Sequence, residues 1–260
     1  MSTTRFLATN LFENATLKNG TGGGAPALDE VSGYPMSNAL TRGRYTVWQE
    51  AAGSSLDFDI DLGANRSFSV FGFQNHRPTT SAGLGMTTID LSYVPAASGY
   101  PPGAWTTIGT LSGLGGTRDY LTSFGAVSGR YVRISITCFD AFTLGRFWLG
   151  VTDYDLGVIY MPGRQRTRQQ AVVDQRAPGG ILYRSWTGDD YEALTLPFDE
   201  ATSAILADVR ELAALRQSLI YWDHLDGVQE VLVRDGAVSD SHERPGDVAY
   251  DTSLELVTLA

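Results

Sequence analysis

The sequence predicts a mainly β protein in two domains, a jelly-roll β-sandwich over residues 1–150 and a β-barrel-like domain with one helix over residues 151–260. Three observations lead there. Short runs in the first part alternate apolar and polar residues, the pattern of strands with one buried face. Turn-forming residues punctuate those runs, with 29 glycines and 10 prolines among 260 residues. Charge is divided unevenly: residues 1–150 carry ten acidic and ten basic side chains, and residues 151–260 carry nineteen and nine, so the second part holds the whole net charge of −10. Such a shift in composition marks a candidate domain boundary.

The elements follow in order. Residues 1–50 are irregular and include a cluster of Gly20, Gly22, Gly23 and Gly24. Residues 56–62 alternate strictly, with Leu56, Phe58 and Ile60 facing inward and three aspartates facing out. Residues 67–73 form a denser apolar run. Residues 88–94 put Ile89, Leu91 and Tyr93 on one face, residues 105–111 make a further strand, and residues 130–137 turn Val132, Ile134 and Ile136 inward. Residues 147–150 close the sandwich, with Trp48 and Trp148 as its expected buried keystones. In the second part, strands are predicted at 158–161, 169–173, 181–186 and 194–198. A helix over 202–218 follows from the helical spacing of Ile205, Val209, Leu212, Leu215 and Leu219, with Asp199 or Thr202 as its cap. Strands at 219–222, 228–233 and 254–259 end the chain.

Composition argues against several function classes. An acidic protein lacks the basic stripe that releases counterions from a nucleic acid. Cys138 is the lone cysteine, and its place on the alternating run 131–139 reads as a buried structural thiol, not a nucleophile. The first residues show no continuous apolar leader, and no run reaches the roughly 18–20 apolar residues of a membrane span. The expectation is a protein made in a cytosol, without membrane insertion.

The motifs narrow further. Asp57, Asp59 and Asp61 have the spacing that opens a calcium loop, but such a loop needs Gly at its sixth position and Glu at its twelfth, where Leu62 and Phe68 stand. They read as the solvated acidic face of a strand. The glycine cluster has no preceding strand and is followed by Pro26, so it reads as a loop and not a dinucleotide site. His76, His224 and His242 form no zinc motif, Asp223 to Gly227 reads as a polar turn, and no nucleophile elbow occurs. No catalytic residue, metal or cofactor is therefore predicted. The candidate ligand pair is His76–Arg77, since a loop-borne His–Arg pair donates hydrogen bonds to sugar hydroxyls, with Tyr100 or Trp105 to stack on a pyranose face. The competing reading has His76 capping its own turn and Arg77 solvated.

The landmarks of residues 4–150 resemble the discoidin, or galactose-binding-like, family: Asn10-Leu11, TVWQ at 46–49, DLG at 61–63, WTTI at 105–108 and GRYVRI at 129–134. FGFQNH at 71–76 looks like a phage version of this fold, with Arg77 departing from it. The second part resembles minor tail proteins of long-tailed phages, including the distal-tail class, through APGG at 177–180, LPF at 196–198 and the closing strand. The resemblance implies a non-enzymatic virion protein of the tail tip or baseplate, assembled in the host bacterial cytoplasm. It would form a homo-oligomeric ring with other tail proteins, the sandwich decorating the ring and contributing to attachment. The alternative is a carbohydrate-binding module for host surface glycan. The family's calcium loop falls on residues 38–44, where Arg42 and Arg44 stand in place of an Asp-Gly pair, so no metal is expected. For assembly, Arg164, Arg166 and Arg168 alternate along an extended chain and share one side, suited to carboxylates on an identical neighbour. A solvated arm is the competing reading.

Overall fold

The computed structural model describes residues 4–18, 31–41, 46–51, 55–79, 83–95, 99–100, 103–156, 165–169, 172–176, 182–186, 191–215, 217–223, 227–233, 239–241 and 250–258. Contacts divide the chain into two compact units, Thr9–Thr152 and Met1–Ala8 with Asp153–Ala260. The boundary expected from the shift in charge places the first eight residues with the sandwich. Arg5–Leu7 instead pairs with Ser218–Asp223 and with Tyr154–Asp155 in the sheet of the other unit.

The first unit is a β-sandwich, as expected. Its larger sheet runs Arg146–Gly150, Ser55–Gln74, Tyr120–Cys138, Met86–Val94, Thr106–Ser112, with Thr16–Lys18 also on Ser55–Gln74. The smaller sheet orders Trp48–Glu50, Phe142–Leu144 and Arg77–Pro78. All described pairings are antiparallel. The two long strands bend together: the register shifts between Asp61 and Arg66 and again between Phe68 and Val70. Extra residues of this kind kink a strand and raise its twist, which lets one 20-residue strand wrap the core. Gly72 is needed for that closeness, because a Cβ there would sit 2.2 Å from the Tyr120 carbonyl oxygen.

The expected inward residues are the core. Leu56, Phe58, Ile60, Ile89, Leu91, Val132, Ile134 and Ile136 are buried, and so is the thiol of Cys138. Trp48 and Trp148 are buried as well. The Trp48 ring meets Phe142 edge-on at 5.0 Å and Phe58 at 6.0 Å, the T-shaped geometry that aromatic quadrupoles favour.

The second unit holds an eight-stranded antiparallel sheet. Its ladder, an open path among the described residues, runs Tyr154–Asp155, Arg5–Leu7, Ser218–Asp223, Gly227–Val233, Tyr250–Thr258, Tyr191–Ala201, Gln165–Gln169, with Ser239–Ser241 also on Tyr250–Thr258. Its core gathers Phe6, Leu194, Leu196, Phe198, Tyr221, Leu254 and Leu256 under Val209 and Leu212 of the helix. That helix, Ser203–Ala214, is shorter than predicted because Leu215 is already extended and Ser218 begins a strand. Thr202 is the cap, its hydroxyl accepting from the Ile205 N–H at 3.3 Å. The strand expected at 169–173 is in fact the ends of two, Gln165–Gln169 and Val172–Arg176, the latter paired with Leu182–Trp186. The strand expected at 158–161, the glycine cluster, the APGG turn, His224 and His242 lie outside the described residues. No helix among the described residues is long and apolar enough to cross a membrane.

Candidate functional site

His76 is placed where it contacts no ligand. It is 1% exposed, and both ring nitrogens are taken. Nε2 can only accept from the Met86 backbone N–H, 3.1 Å away, so Nδ1 carries the proton and donates to the Thr117 carbonyl at 2.8 Å. Phe73 and Phe142 meet the ring edge-on. Burial pulls the imidazole below its usual pKa, against the smaller opposing effect of the Thr117 carbonyl. The expected sugar-binding histidine is therefore a structural one. Nor does it cap its own turn: its partners are 10 and 41 residues away.

Arg77, next in the chain, is exposed. Asn75 holds left-handed backbone (φ 57°), which Asn tolerates through its short polar side chain. Its Oδ1 accepts from Arg77 Nε at 3.0 Å, which orients the guanidinium. The other guanidinium N–H groups of Arg77 have no partner among the described residues.

Around this turn the backbones of several loops are fastened, while the side chains of Leu84 and Phe139 stay exposed. Thr79 donates its N–H to the Ala141 carbonyl at 3.0 Å. The Leu84 N–H donates to Asp140 Oδ2 at 3.0 Å, and the Phe139 N–H to the Gly85 carbonyl at 2.9 Å. Yet Leu84 is 45% exposed and Phe139 is 70% exposed. The result is a loop end bearing an aromatic ring, an aliphatic side chain and an oriented guanidinium, all open to solvent. Phe139 was missed in the sequence, although the alternation held the signal. Val132, Ile134, Ile136 and Cys138 point inward, so Phe139 falls on the outer parity.

Tyr100 and Trp105 come together elsewhere, on the outer face of the larger sheet. Arg133 grips Asp59 with both forks, Nε to Oδ1 at 2.6 Å and Nη2 to Oδ2 at 2.9 Å, and lies 4.2 Å from the Trp105 ring centroid. The Tyr100 hydroxyl donates to Asp59 at 3.0 Å, and burial with this carboxylate pushes its pKa up to about 12. Arg130 clasps Asp61 in the same bidentate way, holding the Asp61 carboxyl below its usual range. The solvated acidic face expected at 57–61 is thus only Asp57; Asp59 and Asp61 are buried because arginines of the neighbouring strand cover them. Together they form a clamp that holds the Tyr100 and Trp105 side chains to the sheet.

Arg164 lies outside the described residues. Arg166 and Arg168 fall on Gln165–Gln169, in register with Leu194 and Glu192, on the strand that ends the described ladder. Among the described residues there is no cluster of His, Cys, Asp or Glu fit to hold a metal ion.

No family model matches the chain, and no curated protein matches it. Solved structures do. Chitosan-binding module 2 of a chitosanase/glucanase from Paenibacillus sp. IK-5, in complex with chitotriose, is 22% identical at a TM-score of 0.42, over 54% of this chain and 99% of that one. The family 32 carbohydrate-binding module of NanJ from C. perfringens, in complex with galactose, is 15% identical at 0.41, over 57% and 98%. An α-L-fucosidase-like protein from Bacteroides thetaiotaomicron is 16% identical at 0.45, over 57% and 30%.

Proposed function

We propose that the chain is a non-catalytic carbohydrate-binding protein whose sandwich meets host surface glycan with the Arg77–Phe139 loop end. One observation carries this: a 70% exposed phenylalanine on a loop whose backbone is tied down, at the same end of the sandwich as an exposed arginine oriented by Asn75. A pyranose offers a C–H face for an aromatic ring and hydroxyls for a guanidinium fork. A ring on a fastened loop loses little freedom on binding, which is what weak-contact recognition requires. The test is a glycan array probed with the full chain and with Phe139→Ser. Binding that the substitution abolishes supports the reading; a blank array contradicts it.

The second unit favours an additional, architectural reading. Its ladder ends on Gln165–Gln169, and Val172–Arg176 with Leu182–Trp186 forms a hairpin paired only with itself among the described residues. An isolated two-stranded hairpin is marginal in water, and a sheet edge is a template for another chain. We therefore propose that this unit builds a homo-oligomeric ring in a phage tail tip, with Arg164, Arg166 and Arg168 toward carboxylates of the neighbour, and that the sandwich is displayed on it in the virion. Electron microscopy of assembled tails tests this: rings containing the chain support it, and a chain that stays monomeric and absent from tails contradicts it.

A further inference from the structure

His76 sits beneath the proposed contact surface and joins three of its segments. Its backbone N–H donates to the Arg118 carbonyl at 2.9 Å, its Nδ1–H to the Thr117 carbonyl, and its Nε2 receives the Met86 N–H. Met86 follows Leu84 and Gly85, and the Gly85 carbonyl receives the Phe139 N–H. Gly85 lies so close that a Cβ on it would stand 2.3 Å from Nε2. One imidazole thus underlies both exposed apolar side chains, through two hydrogen bonds in series.

The bond to Met86 exists only while Nε2 has a lone pair. Protonation puts a second N–H at that position, facing the Met86 N–H donor to donor. The Met86 amide is then buried without an acceptor, an arrangement folded proteins avoid. There is little room to turn the ring, which is held between Phe73 and Phe142. The segment from Leu84 to Met86 must move, and the support of Phe139 moves with it.

We propose that His76 is an acid-operated latch: neutral, it fastens the segments that carry Leu84 and Phe139, and protonated, it releases them. The charged groups around it do not stabilise the imidazolium by direct contact. Asp119 accepts from the Asn75 N–H and sits 3.9 Å from Arg118, while Asp140 accepts from the Leu84 N–H. Arg77 is adjacent in the chain and turned to Asn75. Glu50 lies on the strand opposite Phe142, and Arg146 on the strand opposite Gln74 with Nε donating to the Gln74 side chain. None of these six makes a hydrogen bond to the imidazole among the described residues. Burial opposes the charged form, so the latch opens below the usual histidine range. The latch matters to sugar binding only if the proposed contact surface is correct, but it is measured without any sugar.

The experiment follows amide hydrogen exchange and ring nitrogen shifts of the full-length protein by NMR from pH 7.5 downward, correcting exchange for its intrinsic pH dependence. The expected result is a loss of protection of at least about tenfold at Met86 and Phe139, with the midpoint of the His76 ring titration, while the amides of Phe58 and Ile134 stay protected. In His76→Gln, whose side-chain oxygen accepts a hydrogen bond at every pH, the Met86 and Phe139 profiles should be flat. Should that variant not fold, the coincidence of midpoints in the unaltered protein decides alone. Two results overturn the latch: a protonated ring with both amides still protected, or a ring that stays neutral until all four amides are lost together. A blank glycan array with coincident midpoints would remove the sugar reading and leave the latch standing.

Discussion

Asp59 and Arg133 face each other across neighbouring strands of the larger sheet, joined by two hydrogen bonds of 2.6 and 2.9 Å, with Asp59 1% exposed. Removing one partner of so buried a pair leaves the other uncompensated. Asp59→Ala is therefore expected to destabilise the sandwich by about 3 kcal/mol in chemical denaturation. Asp61→Ala should cost less, because Arg130 reaches water more easily than Arg133 does. Equal losses would show that packing and not ion pairing holds this face.

Trp48→Ala is expected to cost about 3–5 kcal/mol, the usual range for emptying a buried aromatic site. Its ring is fully buried against Phe58, Phe142 and Phe147, so it links the smaller sheet to the larger. A near-neutral result in calorimetry would mean that the core collapses readily around the gap.

Two glycines should respond differently to alanine. Both have positive φ, +61° at Gly85 and +77° at Gly63, so both pay for left-handed backbone. Gly63 has open space for a Cβ, whereas Gly85 would drive one into His76. Gly63→Ala is expected to cost about 1 kcal/mol and Gly85→Ala more than about 2 kcal/mol. Comparable denaturation midpoints for the two variants would contradict the close approach of Gly85 to the imidazole.

Stability should also depend on pH through His76. Unfolding returns the imidazole to its ordinary pKa of 6.5, above the folded value. As pH falls through 6.5 the unfolded chain takes up a proton that the folded chain resists, so stability falls. The contribution is complete above that pH and is lost on descent toward the folded pKa. Denaturation midpoints of the unaltered protein and His76→Gln between pH 7.5 and 5 check this: only the former should decline through this group. Parallel declines would assign the pH dependence to other residues.

Much of the fold was legible because burial on one face writes itself into the period of the chain. Leu56, Phe58 and Ile60, or Val132, Ile134 and Ile136, show their inward parity without reference to any partner. What covers the outward parity is not written there. The arginines that bury Asp59 and Asp61 lie on another strand, and only the register brings Arg133 opposite Asp59 and Arg130 within reach of Asp61. The burial of His76 is hidden for the same reason: it looks like a loop residue in sequence, and its partners Met86 and Thr117 come from elsewhere. Arg5–Leu7 is too short to show a period at all, and its sheet is completed by strands more than 140 residues away. In the helix, spacing found the right face, but the strand beginning at Ser218 stopped it sooner than periodicity implied.

The most direct test of the account is a calorimetric titration of an array-positive oligosaccharide into four full-length proteins: the unaltered chain, Phe139→Ala, Arg77→Ala and Trp105→Ala. The loop end predicts that Phe139→Ala weakens binding at least about tenfold, as loss of a stacking ring does, and that Arg77→Ala weakens it measurably. Trp105→Ala should bind like the unaltered chain, because its ring serves the Arg133 clamp and not the ligand. Undiminished binding by Phe139→Ala, with loss in a folded Trp105→Ala, would contradict the account and move the site to the face of the sheet.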